Sequence, residues 1–203
     1  MEIALTRPAR GRPRSFCVDE ALYAALDVFW AKGYDNASLT DLTEAMGING
    51  PSLYSAFGNK EALFHKALKL YESEKLEYVR AALGQPTARR VAEHFLRGAI
   101  DAHAAEGRPH GCLNVMCSLS LDPGAGSIHA LLSECRAATQ SALVARLERA
   151  KGEGDLPAHL DAEGLMHFLN AVRQGLIVEA GAGASRTDLE KLVETSLALW
   201  PSP

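Results

Sequence analysis

Apolar residues recur at helical spacing along most of the chain, and no segment shows the convincing alternation of a β-strand. Near the N-terminus they form a stripe over residues 21–30. Asp19 is placed to cap this first helix, and Gly33 is a suitable residue to end it. Residues 1–17, rich in Arg, Pro and Gly, are predicted to form a flexible basic arm.

Three shorter apolar patterns follow the first helix. Ser38 begins a second helix of about two turns that Gly47 ends, and residues 49–57 form a very short third helix that accommodates Pro51 in its first turn. A long fourth helix is predicted from Asn59 to about residue 83. The first three helices indicate a helix-turn-helix DNA-binding domain over residues 18–60.

The rest of the chain, residues 61–203, is predicted to be a larger helical domain. Its further helices are expected at residues 87–105, 112–121, 126–152, 161–181 and 185–200. The fold class is therefore all-α, with a small N-terminal head and a larger helical body.

Composition indicates the class of protein more clearly than net charge does. The 47% hydrophobic and 23% charged residues are typical of a soluble globular chain. Without a long uncharged apolar run or a suitable signal peptide, we expect no membrane span and a cytoplasmic location. The net charge is −4, and residues 1–60 hold six Lys/Arg against seven Asp/Glu. Four of those six lie between Arg7 and Arg14, where they can contact phosphates or the minor groove.

The residue types around Gly47 fit a helix-turn-helix. Glycine tolerates the positive φ that a sharp turn needs, and Ile48 is expected to pack between the two helices. The third helix is too short to be stable alone, so Leu53 and Phe57 must anchor it. Its other face carries small or hydroxylated groups and Tyr54, all able to approach a DNA groove.

Residues 37–64, ASLTDLTEAMGINGPSLYSAFGNKEALF, resemble the DNA-binding region of TetR-type repressors. The resemblance extends over about residues 10–70, and the remainder matches in helical character and length. It implies that Ser38, Thr40 and Lys60 hold phosphates and that Ser52 and Tyr54 touch the operator. Gly50 lies where relatives often have a longer residue that reads a base. We therefore expect DNA shape and the basic arm to contribute more to operator recognition. Together these considerations assign DNA binding to Arg12, Arg14, Ser38, Thr40, Gly50, Ser52, Tyr54, Ser55 and Lys60.

The resemblance also implies a homodimer formed through the last two helices, which reads successive major grooves of a pseudo-palindromic operator. Both helices carry apolar stripes that suit such an interface. The interface residues predicted from those stripes are Phe168, Val172, Leu176, Leu189, Val193 and Leu197.

A small-molecule inducer that releases the operator is the third implication of the resemblance. No cofactor is expected. The apolar runs contain too few acidic groups to bind a strongly cationic ligand, so we expect a small molecule of modest size that is mainly apolar or aromatic. The candidate ligand-binding residues are Tyr71, Tyr78, Phe95, His103, Met116, Phe168 and Arg173.

Cys112 and Cys117, in the run GCLNVMCSL, support an alternative: a thiol- or metal-sensing repressor of the same fold. The more ordinary interpretation is that Cys112, Cys117 and Cys135 are small buried hydrophobes, and no CxxC or HxxxH spacing indicates a metal site. A small-molecule enzyme in an all-α fold is a second alternative, but no GxSxG, P-loop, GxGxxG or HExxH motif supports catalysis. A DNA-binding adaptor or activator without a ligand also remains open.

Overall fold

The computed structural model describes residues 16–103, 111–120 and 126–201. Within these ranges the regular secondary structure is helical, which confirms the all-α prediction. The helices are α1 (Val18–Asn36), α2 (Leu39–Ala45), α3 (Gly50–Phe57), α4 (Lys60–Lys75), α5 (Glu77–Leu83), α6 (Ala88–His103), α7 (Leu113–Ser120), α8 (Gly126–Gly152), α9 (Ala162–Gly181) and α10 (Arg186–Ala198).

Two helix boundaries differ from the sequence-based expectation. Cys17, not Asp19, occupies the N-cap of α1, and Asp19 lies in the first turn. The long fourth helix breaks at Leu76, where φ is −105° and ψ is 8°, so that α4 and α5 are separate. The break lets α5 bury Val79 and Ala82 in the body, and this packing outweighs local helix propensity.

The turns of the head form where the sequence places them. Gly47 has a φ of +64°, in the left-handed region that glycine adopts without strain, and Ile48 packs half-buried against the head core. Gly33 has a φ of +76° and interrupts the regular geometry of α1. The side chains of Asn49 and Asn59 accept hydrogen bonds from backbone N–H groups in the first turns of α3 and α4.

The apolar side chains form two hydrophobic clusters, which we call the head core and the body core. The head core joins α1–α4 to α7 and the first turns of α8, through Leu113, Cys117, Ile128 and Leu132. The body core joins α5, α6, α9, α10 and the second half of α8. The head core thus extends past residue 60, where the sequence suggests a domain boundary, and the head packs firmly on part of the body.

Candidate DNA-binding surface and ligand cavity

The third helix presents one face to the head core and the other to solvent. Leu53 and Phe57 are buried, as expected for the anchors of so short a helix. Tyr54 is 54% exposed, Ser55 is exposed, and Ser52 is half-buried. A hydroxylated, uncharged surface therefore stands on a rigid apolar base, the arrangement that a recognition helix needs.

The first turn of α2 adjoins this surface but is partly engaged already. Ser38 Oγ accepts a hydrogen bond of 3.0 Å from the Asp41 N–H and donates one of 2.8 Å to the Asp41 carboxylate. The Ser38 N–H also donates to that carboxylate, which completes a capping box. Ser38 is thus a cap whose phosphate contact stays a prediction, while Thr40 is exposed in the first turn.

Lys60 has partners inside the protein. Its Nζ lies 3.4 Å from the Asp35 carbonyl oxygen and 4.6 Å from the centre of the Tyr34 ring. Burial lowers the pKa of Lys60, and the nearby Asp35 carboxylate partly offsets this. A phosphate that binds Lys60 must therefore compete with these contacts.

The remaining predicted DNA contacts divide into two groups. At Gly50 a Cβ atom would meet nothing within 4 Å, so this position leaves open space on the surface of α3. Arg12 and Arg14 lie outside the described residues.

A cavity in the body lies between α4, α5, α6, α7, α8 and α9. It holds about 60 Å³ of free space, room for roughly four water molecules. Its lining consists of Leu68, Tyr71, Glu72, Leu76, Tyr78, Val79, Phe95, Cys112, Asn114, Val115, Cys135, Arg136, Thr139, Gln140, Asn170, Arg173 and Gln174. The wall is mainly apolar, with a few polar groups, as in typical small-molecule sites.

Four of the seven predicted ligand-binding residues line this cavity: Tyr71, Tyr78, Phe95 and Arg173. The other three lie elsewhere. His103 is buried behind Tyr71, with Nε2 3.1 Å from the tyrosine Oη. Met116 and Phe168 are 39% and 40% exposed and lie outside the lining, because they project from the outer faces of α7 and α9.

Two polar residues of α9 that accompany Arg173 are not among the predicted ligand-binding residues. Asn170 and Gln174 line the cavity with it, at the i, i+3 and i+4 positions of one helical face. Such a polar patch inside an otherwise apolar helix was the available signal. Asn170 is 8% exposed and donates to Met166 Sδ.

Arg173 and Tyr78 form the most polar part of the wall. Burial lowers the pKa of Arg173, but the neighbouring Tyr78 and Cys112 outweigh it and leave that pKa raised. Burial raises the pKa of Tyr78, and the charge of Arg173 only partly opposes this. The arginine is therefore a cation and the tyrosine a neutral hydroxyl at ordinary pH.

Tyr71 connects the cavity to the DNA-binding head. Its ring packs edge-on against Trp30 of α1, with centroids 5.1 Å apart, and its Oη lies 3.6 Å from Cys112 Sγ. Trp30 Nε1 in turn donates a 2.8 Å hydrogen bond to the Gly111 carbonyl, just before α7. A single layer of side chains thus separates the cavity from α1.

The two candidate sensor thiols have different surroundings. Cys112 lines the cavity, whereas Cys117 packs in the head core with Sγ 3.9 Å from the Phe29 carbonyl oxygen. Burial raises the pKa of Cys117 and that of Cys135 to about 12, so neither forms a thiolate readily. In the part of the chain that is described, no group of three or more His, Cys, Asp or Glu side chains could hold a metal ion.

The predicted dimer interface requires a correction. Phe168 is exposed and Val172 half-buried, but the side chains of the other four members point into the protomer's own body core. These four are Leu176, Leu189, Val193 and Leu197. The stripes of α9 and α10 face inward, because the body core needs them, and the outward apolar groups are Phe168, Val178, Leu192 and Leu199.

The head carries a helix-turn-helix with one exposed face, and its core extends into a helical body that contains a cavity. This combination is typical of a transcriptional regulator. None of the described helices is long and apolar enough to cross a membrane. The models that match the chain are the N-terminal model of bacterial regulatory proteins of the tetR family, over residues 21–67, and the tetracyclin repressor-like C-terminal domain, over residues 88–196. The chain belongs to the TetR family of bacterial transcriptional regulators, which confirms the resemblance.

Relatives and solved structures agree. The transcriptional repressor ComR of Escherichia coli is 32% identical over 96% of this chain and 94% of its own. The repressor BdcR of the same species is 30% identical over 92% and 88%. A cysteine mutant of the TetR-family regulator CifR, complexed with 26-bp operator DNA, is 41% identical, covers 94% of this chain and 100% of its own, and superposes with a TM-score of 0.86.

Proposed function

We propose that this protein is a repressor that binds a pseudo-palindromic operator as a homodimer and leaves it when a small molecule enters the body cavity. The observation that carries the proposal is the exposed face of α3, with Tyr54 at its centre, on a core that also contacts the cavity through Tyr71. A ligand that moves Tyr71 alters the packing of α1 and hence the spacing of the two heads. ComR and BdcR are named repressors, and CifR was solved on its operator, which supports the same activity here.

Fluorescence anisotropy with duplexes from upstream of the protein's own gene tests the DNA-binding part. We expect Tyr54→Ala to weaken specific binding by about tenfold or more, because it removes an operator contact from each subunit. Tyr23→Ala is a matched control, since Tyr23 is also exposed but its hydroxyl hydrogen-bonds to Glu74, at the end of α4 far from α3. Unchanged affinity in Tyr54→Ala, or equal losses in both variants, contradicts the assignment.

The dimer is supported by an apolar surface on α9 and α10. Phe168, Val178 and Leu192 are 40%, 65% and 45% exposed there, an unusual concentration of large apolar side chains for a free surface. A groove between the same helices is lined by Val172, Gly175 and other residues of both. A second copy related by a two-fold axis would cover this surface with its own equivalent.

Leu192→Glu tests the dimer. We expect light scattering to show a monomer, and operator affinity to fall steeply because only one half-site can then be held. Glu194→Leu, on an exposed position of the same helix, is the control for a change of charge. A wild-type monomer that still binds the full operator tightly contradicts this part of the proposal.

Thiol sensing is a second candidate, favoured by the position of Cys112 in the cavity beside Tyr71 and Arg173. An alkylating agent such as iodoacetamide would form an Sγ–C bond there, with loss of iodide and of the thiol proton. We expect alkylation of Cys112 to release operator DNA, and Cys112→Ser to resist that release, whereas Cys117→Ser should behave as wild type. Release that persists in Cys112→Ser argues against this candidate.

A further inference from the structure

The Arg173 guanidinium is a charge on a half-buried side chain, and it lacks a full set of partners within the described residues. Arginine stays protonated at any physiological pH, and such a group is costly to bury unless it is paired. Its Nε makes no hydrogen bond within the described residues, and no ion pair joins it to a carboxylate there. Its main aromatic contact is Phe95, whose ring centre lies 5.7 Å from the guanidinium carbon.

Arg146 is a buried arginine with a structural role: its Nε and Nη1 also lack partners within the described residues, but its Nη2 has two. It is 5% exposed, and its Nη2 donates to the backbone carbonyls of Gln85 and Pro86 at 2.8 and 3.1 Å. Arg146 thereby ties the end of α5 to α8 and lies outside the cavity lining. Within the described residues Arg173 donates to no backbone carbonyl, and it faces the cavity instead.

Tyr78 supplies a second donor on the same wall. Its Oη is buried and has no aligned hydrogen-bond partner in the part of the chain that is described. The ring can lie there because Gly98 of α6 has no side chain: a Cβ at that position would come within 2.6 Å of Tyr78 Cβ. The fold thus places a buried hydroxyl beside a cation at one end of a small cavity, and within the described residues neither is paired with a carboxylate.

We propose that the ligand of this cavity is a small monocarboxylic acid with an apolar chain, whose carboxylate accepts hydrogen bonds from Arg173 and Tyr78. The inference rests on the proposed function, because it names the ligand class of the same regulator. A single negative charge balances the guanidinium, whereas a phosphate dianion would leave excess charge near Leu68 and Val79. The guanidinium fork also matches the two oxygens of a carboxylate.

A route into the cavity lies at the break between α4 and α5. Glu72, Leu76, Val79, Cys135 and Thr139 line the cavity and also an open groove on the outer side of α8. A ligand that enters past Leu76 would bring its carboxylate to Arg173 and its chain against Tyr71. The free space fits only a short chain, so longer acids must widen the cavity.

Thermal unfolding of the purified protein with straight-chain carboxylates from acetate to octanoate, and with the matched primary amides, tests the proposal without DNA. We expect one or more carboxylates to raise the Tm by roughly 5–10 °C at a hundredfold excess over Kd. The amides should shift it much less. Arg173→Met should abolish the carboxylate shift and Tyr78→Phe should weaken it, whereas Arg173→Lys should retain part of it.

The ligand-free variants give an independent readout. Removing a half-buried charge that has no carboxylate partner among the described residues should raise the Tm of Arg173→Met by roughly 2–4 °C. Arg146→Met, the matched control, should lower the Tm, because it releases two backbone carbonyls, and should keep the carboxylate shift. Equal shifts with acids and amides, no shift with any acid, or a shift that survives in Arg173→Met overturns the proposal. Operator binding, measured separately, shows whether the proposed function stands when this inference fails.

Discussion

The head and the body of this protein place their functional groups in opposite ways. In the head the apolar side chains face inward and the polar ones outward, so that Tyr54 and Ser55 stand free on α3. In the body the polar groups of interest, Arg173 and Tyr78, face an internal cavity, and among the described residues neither is paired with a carboxylate. The functional groups of the head thus face solvent, whereas those of the body face a space that a ligand can fill.

This difference indicates which region of the regulator can change its arrangement when a ligand binds. The head core is closed, so its surface can read DNA without rearrangement. The body contains both free space and an uncompensated charge, and these make a second, ligand-filled arrangement energetically accessible. Tyr71 belongs to both regions, since it lines the cavity and packs against Trp30 in the head core.

The largest effect is expected at Trp30, where head and body meet. Trp30→Ala should lower the free energy of unfolding by about 3–5 kcal/mol, because it leaves a cavity between α1 and Tyr71. Trp30→Phe should lower it less, by about 1–3 kcal/mol, because the Gly111 carbonyl loses its indole donor. Urea unfolding followed by far-UV circular dichroism measures both.

Trp200 in the body core is the matched control for the hydrogen bond. It is 7% exposed, and its Nε1 has no partner among the residues described. Trp200→Phe should therefore cost less than Trp30→Phe. Equal costs would mean that the indole hydrogen bond does not join head and body.

A smaller effect is expected at Gly98. Alanine normally stabilises a helix interior by up to about 1 kcal/mol relative to glycine. At Gly98 its Cβ would overlap Tyr78, so Gly98→Ala should destabilise the protein by about 1–3 kcal/mol and disturb the cavity. Gly152→Ala at the end of α8, where a Cβ meets nothing within 4 Å, should be neutral or stabilising. Urea unfolding of both variants decides between crowding and helix propensity.

The head could be predicted in detail because its determinants are local. Gly47, Ser38, Leu53 and Phe57 lie within twenty residues, and their roles in the turn, cap and anchors follow from chemistry and spacing. Asp19 is the exception: helix α1 begins earlier than its cap signal, and its N-cap residue makes no side-chain hydrogen bond.

The body could be predicted only as a set of helices. Which face of α9 and α10 turns inward depends on helices distant in sequence, so Leu189 and Val193 were assigned to an interface although they fill the core. The cavity likewise combines residues from Leu68 to Gln174. The pattern of apolar residues does not predict that Arg173 and Tyr78 lie close together, because their proximity depends on the break at Leu76.

A still smaller effect on stability is expected from the helix caps, which occur in both regions. Ser38 caps α2 and Ser185 caps α10, each accepting a hydrogen bond from the backbone N–H of the third helical residue. Ser38→Ala and Ser185→Ala should each cost about 1 kcal/mol. In thermal unfolding the two losses should be similar, but only Ser38→Ala should also weaken operator binding, because its helix adjoins the DNA surface. Loss of binding in both variants would indicate a global effect.

The smallest effect is expected at the carboxylates of the same two caps, and it should disappear in acid. The hydrogen bond from Lys32, followed by those from Ser38, lowers the pKa of Asp41 to about 2. Hydrogen bonds from Ser185 and Lys191 lower the pKa of Asp188 as well.

Because both pKa values lie below those of the unfolded chain, each carboxylate stabilises the protein fully above about pH 4 and loses that contribution as the pH falls. The Tm difference between wild type and Asp41→Asn should therefore be constant from about pH 7 to 5 and shrink towards pH 2. Asp188→Asn should follow the same course in the body. A difference that grows in acid would show that Asp41 is protonated more readily in the folded head than in the unfolded chain, contrary to the capping box seen here.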